Sequence, residues 1–257
     1  MELGLKGKVA VVTGGTQGIG RATALRLAQE GANVAICARS QEALERVGAE
    51  ITKFGVQALA MATDVSKSSD IERFMKAVVD KFGRIDILVN NAGTSKRGAF
   101  LELTDAEWSA DLELKVFGAI RCTRLAVPHM KKQGGGRIIN IAIASAKQPG
   151  AQSYPTSVSR AAGLAITKAL SKEFAADNIL VNAVCIGKIK SGQHERRYTK
   201  EGTSPEQYYA TASKDIPMRR VGEADEVANV ITFLASDAAS YVTGSSINLD
   251  GGISGVL

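Results

Sequence analysis

The chain has 257 residues, 45% of them hydrophobic and 23% charged, the profile of an ordinary globular protein with enough chain for one core. Its net charge of +6 is scattered, so no basic stripe for nucleic acid stands out. No stretch approaches 18 apolar residues, no basic-then-apolar leader opens the sequence, and the cysteines (Cys37, Cys122, Cys185) are too few and too far apart for a disulfide framework or a zinc set. A cytoplasmic chain with buried thiols is predicted, without metal, membrane or nucleic-acid partners.

The first predicted element is a strand over residues 9–12, V-A-V-V, fit for burial on both faces. Thr13, Gly14, Gly15, Gly18 and Gly20 follow, and then Ala24, Leu25 and Ala28 take up helical spacing. Strand, glycine turn and helix N-terminus together cradle a phosphate, because the backbone approaches closely and free N–H groups point at the anion. The spacing T-G-x-x-x-G-I-G lacks the Gly-Lys-Ser/Thr of a Walker P-loop and excludes one. Gly14, Thr16, Gln17, Gly18, Ile19 and Gly20 are the candidate contacts.

A second strand, 33–38, ends in Ala38-Arg39-Ser40. In dinucleotide folds an acid at this point holds the ribose 2′-hydroxyl of NAD, whereas an arginine accommodates the 2′-phosphate of NADP. Ala38 followed by Arg39 therefore predicts NADP(H) in preference to NAD(H), with a solvated Arg39 as the plain alternative. Ser40 either lines this site or caps the next helix. A third strand, 56–62, leads to Asp64-Val65, and a fourth, 85–89, to Asn90-Asn91-Ala92-Gly93.

Beyond these come a helix over 104–129 broken near Leu112, a strand at 137–143, a helix at 156–176 and a strand at 179–185. Residues 186–217 lack apolar periodicity and read as an irregular lid over a substrate, with Arg196 and Arg197 offering charge to an anionic group. A helix at 225–234 and a strand at 246–249 close the pattern. Alternation from end to end predicts a single α/β domain over 1–257. Its parallel sheet is doubly wound and Rossmann-like, with about seven strands and helices on both faces; ligand binds at the strands' carboxyl ends.

The chain resembles the short-chain dehydrogenase/reductase family through T-G-G-T-Q-G-I-G, N-N-A-G, G-R-I-I-N-I, I-L-V-N-A-V-C and Y-V-T-G-S-S-I-N-L-D-G-G. The resemblance implies hydride transfer between a nicotinamide and an alcohol or carbonyl, and a homo-oligomer, dimer or tetramer. It places Asp64 and Val65 at the adenine, Asn91, Ala92 and Gly93 along the cofactor cleft, and Gly187, Ile189 and Ser191 in a cofactor loop whose usual proline is Ile186. The family's catalysts are Asn, Ser, Tyr and Lys, the last two spaced Y-x-x-x-K. Aligning S-R-A-A-G-L-A-I-T-K-A-L puts Thr156 at the Tyr position and Arg160 at the Lys position; counting from neighbouring motifs puts Ile143 at Ser and Lys115 at Asn. All four are replaced in this register.

The replacements matter because a phenol, acidified by a nearby ammonium, delivers the proton, and a threonine hydroxyl is far less acidic. Arg160 retains the charge to bind ribose hydroxyls but titrates too high to relay protons. Three readings stay open. Tyr154 supplies the proton with Lys115 providing positive charge; lid groups such as His194 or Tyr198 run other chemistry, a lyase or isomerase included; or catalysis is lost and an NADP(H)-binding protein remains. The leading expectation is an NADP(H)-preferring oxidoreductase of a small-molecule substrate with an atypical active site.

Overall fold

The computed structural model describes residues 2–256, apart from the side chains of Gln193 and Arg196, so the expectation for Arg196 lies outside the described residues. The chain runs β1 (Val9–Thr13), α1 (Gly18–Gln29), β2 (Asn33–Ala38), α2 (Gln41–Thr52), β3 (Ala58–Ala62), α3 (Ser68–Phe82) and β4 (Ile87–Asn90). It continues through β5 (Arg97–Gly98), α4 (Asp105–Leu112), a π-helical turn (Glu113–Phe117), α5 (Gly118–Lys132), β6 (Gly136–Ile143), β7 (Tyr154–Pro155) and α6 (Thr156–Glu173). Last come β8 (Ile179–Ile186), α7 (Gly192–Glu201), α8 (Pro205–Ala212), α9 (Ala224–Ala235) and β9 (Ser246–Leu249).

Seven strands form one parallel sheet in the order β3-β2-β1-β4-β6-β8-β9. The continuous apolar runs of β1 and β2 are explained by burial on both faces. Along β1, Ala10 and Val12 join a core with Leu27, Leu44 and Ile231 from α1, α2 and α9. Val9 and Val11 face the opposite core, with Phe74 of α3 and Met130 of α5. Because the chain winds outward from β1 in one direction and from β4 in the other, the crevice between their carboxyl ends is where a doubly wound sheet takes its ligand.

Two stretches differ from the sequence reading. The expected break near Leu112 is a π-helical turn, not an interruption: α4, opened by a capping box between Thr104 and Glu107, runs through it directly into α5. The segment 186–217 is not irregular, for it holds α7 and α8. Gly202, at φ 66°, ends α7, Ser204 accepts from the Gln207 N–H to cap α8, and Pro205 sits in its first turn. What these helices bury is aromatic rather than aliphatic: His194, Tyr198, Tyr208 and Tyr209 pack with ring centroids 5.5–6.2 Å apart. An aliphatic period misses such a core. β5 and β7 pair antiparallel into a second, two-stranded sheet that the sequence did not announce.

Candidate active site

A cleft of about 1760 Å³ opens at the carboxyl ends of β1, β4 and β6. Its floor includes Gly14, Thr16, Gln17, Gly18, Ile19 and Gly20. Gln17 stands at the N-cap of α1 without a side-chain cap, so the first N–H groups of the helix are left for an anion. Gly18 has φ +52°, and a Cβ built there would stand 3.4 Å from Ser191, so the turn admits a side chain only with strain.

Arg39 and Ser40 line one end of the cleft, and Ser40 also accepts from the Ala43 N–H at 3.4 Å as the N-cap of α2. Arg46, one face along α2, lines it as well. Neither arginine forms an ion pair with a carboxylate among the described residues, and the charge of Arg39 is among those that lower the Asp64 pKa. Arg46 escaped the sequence reading; an arginine seven residues after Arg39 on a helix was the available signal. Asp64 and Val65 line the same cleft, with the Asp64 carboxylate accepting from the Ser66 N–H and hydroxyl at 3.0 and 2.7 Å.

The Asn90-Asn91-Ala92-Gly93 motif ties the crevice together. Asn91 donates to the carbonyls of Thr13 and Gly14, and the Thr13 hydroxyl accepts from the N–H groups of Asn91 and Ala92. Asn90 donates to Asn140, which donates to Thr167, so β4, β6 and α6 are pinned through buried amides. Asn91, Ala92 and Gly93 line the cleft, and a Cβ on Gly93 would collide with the Arg160 guanidinium. The loop after β8 contributes Gly187, Ile189 and Ser191.

Ile143, Thr156 and Arg160 line the cleft beside these residues. Lys115 does not; its side chain is wholly buried behind Thr156. The π-helical turn sets it facing α6, where its ammonium pairs with Asp111 and donates to Thr156 Oγ1 at 2.8 Å. Asp111 also accepts from Ser159 at 2.6 Å. Thr156 Oγ1 donates to the Lys96 carbonyl at 2.8 Å and accepts from the Lys96 N–H at 3.1 Å. Arg160 donates to the Ile141 carbonyl at 2.5 Å, and its Nε is buried without a partner. Burial lowers the Lys115 pKa to about 8, helped by the Arg160 charge and resisted by Asp111. Burial likewise lowers Arg160 to about 10, with Asp111 opposing.

Tyr154 and Lys115 are not brought together. The Tyr154 ring packs against Phe100 and Trp108 at 5.8 and 6.1 Å, outside the residues that line the cleft, and no hydrogen bond joins it to Lys115 among the described residues. The expected approach of Lys115 into the cleft fails because Asp111 holds its ammonium inside. The buried group of Asp111, Lys115 and Ser159 was missed by the sequence reading, and the i, i+4 spacing of Asp111 and Lys115 was its visible trace.

Above the cleft, His194 Nδ1 lies 2.9 Å from the Tyr208 hydroxyl, and Arg197 donates to Ser95 at 3.2 Å. His194, Arg197 and Tyr208 line the cleft, whereas Tyr198 packs behind them. Burial and the Arg197 and Lys188 charges lower the His194 pKa. Among the described residues no cluster of His, Cys, Asp or Glu fit to hold a metal occurs, and no helix is long and apolar enough to cross a membrane.

The family described as Enoyl-(Acyl carrier protein) reductase matches residues 14–254. The chain is 38% identical over 251 residues to the 3-oxoacyl-(acyl-carrier-protein) reductase FabG of Thermotoga maritima, covering 97% of this chain and 98% of that protein. It is 38% identical over 253 residues to the 3-oxoacyl-(acyl-carrier-protein) reductase of Synechocystis sp., with 97% and 98% covered. Among solved structures, the L-sorbose reductase of Gluconobacter frateurii in complex with NADPH and L-sorbose superposes with a TM-score of 0.95 at 35% identity, covering 100% of both chains.

Proposed function

Because the chain belongs to the short-chain dehydrogenase/reductase family, we propose that it is an NADP(H)-preferring oxidoreductase interconverting a carbonyl and an alcohol, with a proton route built on Lys115 and Thr156 in place of a phenol. The cofactor fit is supported by the uncapped N-terminus of α1 for the pyrophosphate and by Arg39 and Arg46, both without carboxylate partners among the described residues, for a 2′-phosphate. The NADPH complex of the sorbose reductase supports the same use. When bound, the nicotinamide supplies or receives the hydride; everything else falls to this chain.

The observation that carries the proton route is the 2.8 Å contact from Lys115 Nζ to Thr156 Oγ1 at the cleft wall. A carbonyl oxygen that gains negative charge needs a proton. Thr156 turns its hydroxyl from the Lys96 carbonyl to that oxygen and hands over its proton. It takes another from the Lys115 ammonium in the same step, so no threonine alkoxide forms. The basicity of the forming alkoxide drives the transfer, and burial, against the opposing charge of Asp111, holds the Lys115 pKa at about 8, matched to neutral pH. In the oxidative direction each proton moves back along the same path. Arg160, anchored on the Ile141 carbonyl and packed against Gly93, is the residue that would hold the ribose hydroxyls of a bound cofactor.

A second reading is a silent NADP(H)-binding protein, favoured by the Thr156 hydroxyl being committed to Lys96 at 2.8 Å. Stopped-flow oxidation of NADPH against a panel of ketones and aldehydes separates the two: turnover lost on Thr156→Val supports the relay, and tight NADPH binding without turnover supports the silent protein.

A further inference from the structure

The side of the cleft formed by α7 and α8 is lined by polar side chains. α8 presents Gln207, Tyr208 and Thr211 to the cavity from one helical face, α7 adds His194 and Arg197, and the loop after β6 adds Gln148. Gln207 and Thr211 are exposed at the rim of the cleft, and among the described residues their side chains make no hydrogen bond to the protein, so their donors and acceptors are free for a ligand. The His194–Tyr208 pair is fixed in place by its own 2.9 Å hydrogen bond and by the packed rings of Tyr198 and Tyr209. The exposed carboxylates of Glu201 and Asp215 line the same side. An alkyl chain laid on this wall would strip water from those groups and return no hydrogen bonds. Vicinal hydroxyls, each both donor and acceptor, satisfy them.

Resting on the oxidoreductase reading above, we infer that the substrate is a small polyhydroxylated carbonyl compound, an open-chain ketose in chemical class, and not an aliphatic acyl thioester. The carbonyl carbon meets the hydride at the Thr156 wall, and the hydroxylated tail lies under α7 and α8 with Gln207 and Thr211 as its hydrogen-bonding partners.

The test measures NADPH oxidation with D-fructose, L-sorbose and D-tagatose on one side and acetoacetyl and 3-oxooctanoyl thioesters on the other. Saturation-transfer NMR of D-sorbitol with the NADP⁺-loaded protein provides a readout independent of turnover. The expected result is kcat/KM at least tenfold higher for a ketohexose than for either thioester. Gln207→Leu and Thr211→Val should each raise the ketohexose KM roughly fivefold to tenfold with kcat little changed. If a thioester is the better substrate, the inference is overturned while the oxidoreductase reading stands. If nothing is reduced but sorbitol binds saturably and Gln207→Leu abolishes that binding, the polyol site stands and the oxidoreductase reading falls. If nothing is reduced and sorbitol does not bind, the inference is overturned as well.

Discussion

The Nζ of Lys115 lies 2.8 Å from the Oγ1 of Thr156, joining a wholly buried ammonium to a hydroxyl on the cleft wall. Asp111 holds the other side of that ammonium, and Ser159 holds Asp111. In the proposed route this contact lets a weakly acidic hydroxyl deliver a proton without ionising. We expect Thr156→Val to lower the rate of carbonyl reduction about 100-fold or more, within the range lost with a positioned acid, and Thr156→Ser to stay within about tenfold of the parent. Tyr154→Phe keeps the packing on Phe100 and Trp108 and should retain the parental rate within about twofold. Steady-state kinetics on one carbonyl checks all three, and a Tyr154→Phe enzyme without activity would return the proton role to the phenol.

The Asp111–Lys115 pair makes a stability prediction. Removing one member breaks a buried pair, which costs about 3–5 kcal/mol where the remaining charge is uncompensated, and Asp111 would keep only the nearby Arg160 charge; Lys115→Met by itself should therefore unfold at a lower denaturant concentration. Asp111→Asn combined with Lys115→Met removes both charges and should restore most of the loss. The pH dependence has a definite sign. Folding lowers the Lys115 pKa from its ordinary 10.5 to about 8, so between those values the unfolded chain binds more protons than the folded one. Stability of the parent relative to the double variant should therefore rise as pH goes from 8 to 10. Urea titrations at three pH values measure it, and a falling difference would contradict the assignment.

Arg39 and Arg46 predict the cofactor preference. Loss of a charge-assisted phosphate contact costs about 1.5–3 kcal/mol. Arg39→Ala should weaken NADPH binding about tenfold or more in titration calorimetry and leave NADH nearly unchanged, with Arg46→Ala acting in the same direction. Equal affinities of the unmodified protein for NADPH and NADH would rule out this account of the two arginines.

Gly18 predicts the place of the pyrophosphate. With φ at +52° and Ser191 opposite, a valine there is strained and fills the cradle. Gly18→Val should abolish nucleotide binding while the circular dichroism spectrum stays that of the parent. A folded variant that binds normally would move the nucleotide elsewhere.

The fold was legible because its core strands are continuous apolar runs and its turns carry glycine. β9 falls at 246–249 and β2 at 33–38, as the apolar pattern says. The cleft floor was legible for the same reason: Gly14, Gly18, Gly20, Arg39 and the Asn-Asn-Ala-Gly turn are local features, each adjacent to a strand end. The surroundings of Lys115 were not. Whether Lys115 faces the cleft depends on the π-helical turn, which rotates it toward α6, and on an acid four residues earlier whose value shows only once both are buried. Helices α7 and α8 were hidden because aromatic rings, not aliphatic side chains, form their common face, although Gly202, Ser204 and Pro205 mark the turn between them. Tyr154 drew notice as the nearest phenol in sequence; two residues ahead of Thr156, its ring is directed to the Phe100 and Trp108 cluster instead.

The most direct test of the proton route is the pH dependence of kcat for NADPH-driven carbonyl reduction, measured for the parent and for the Asp111→Asn, Lys115→Met double variant. The relay requires Lys115 protonated, so the parental kcat should fall as pH rises through about 8, and the double variant should be slow and lack that limb. A parental profile that stays level from pH 7 to 9, or a double variant that keeps both the rate and the limb, would contradict it.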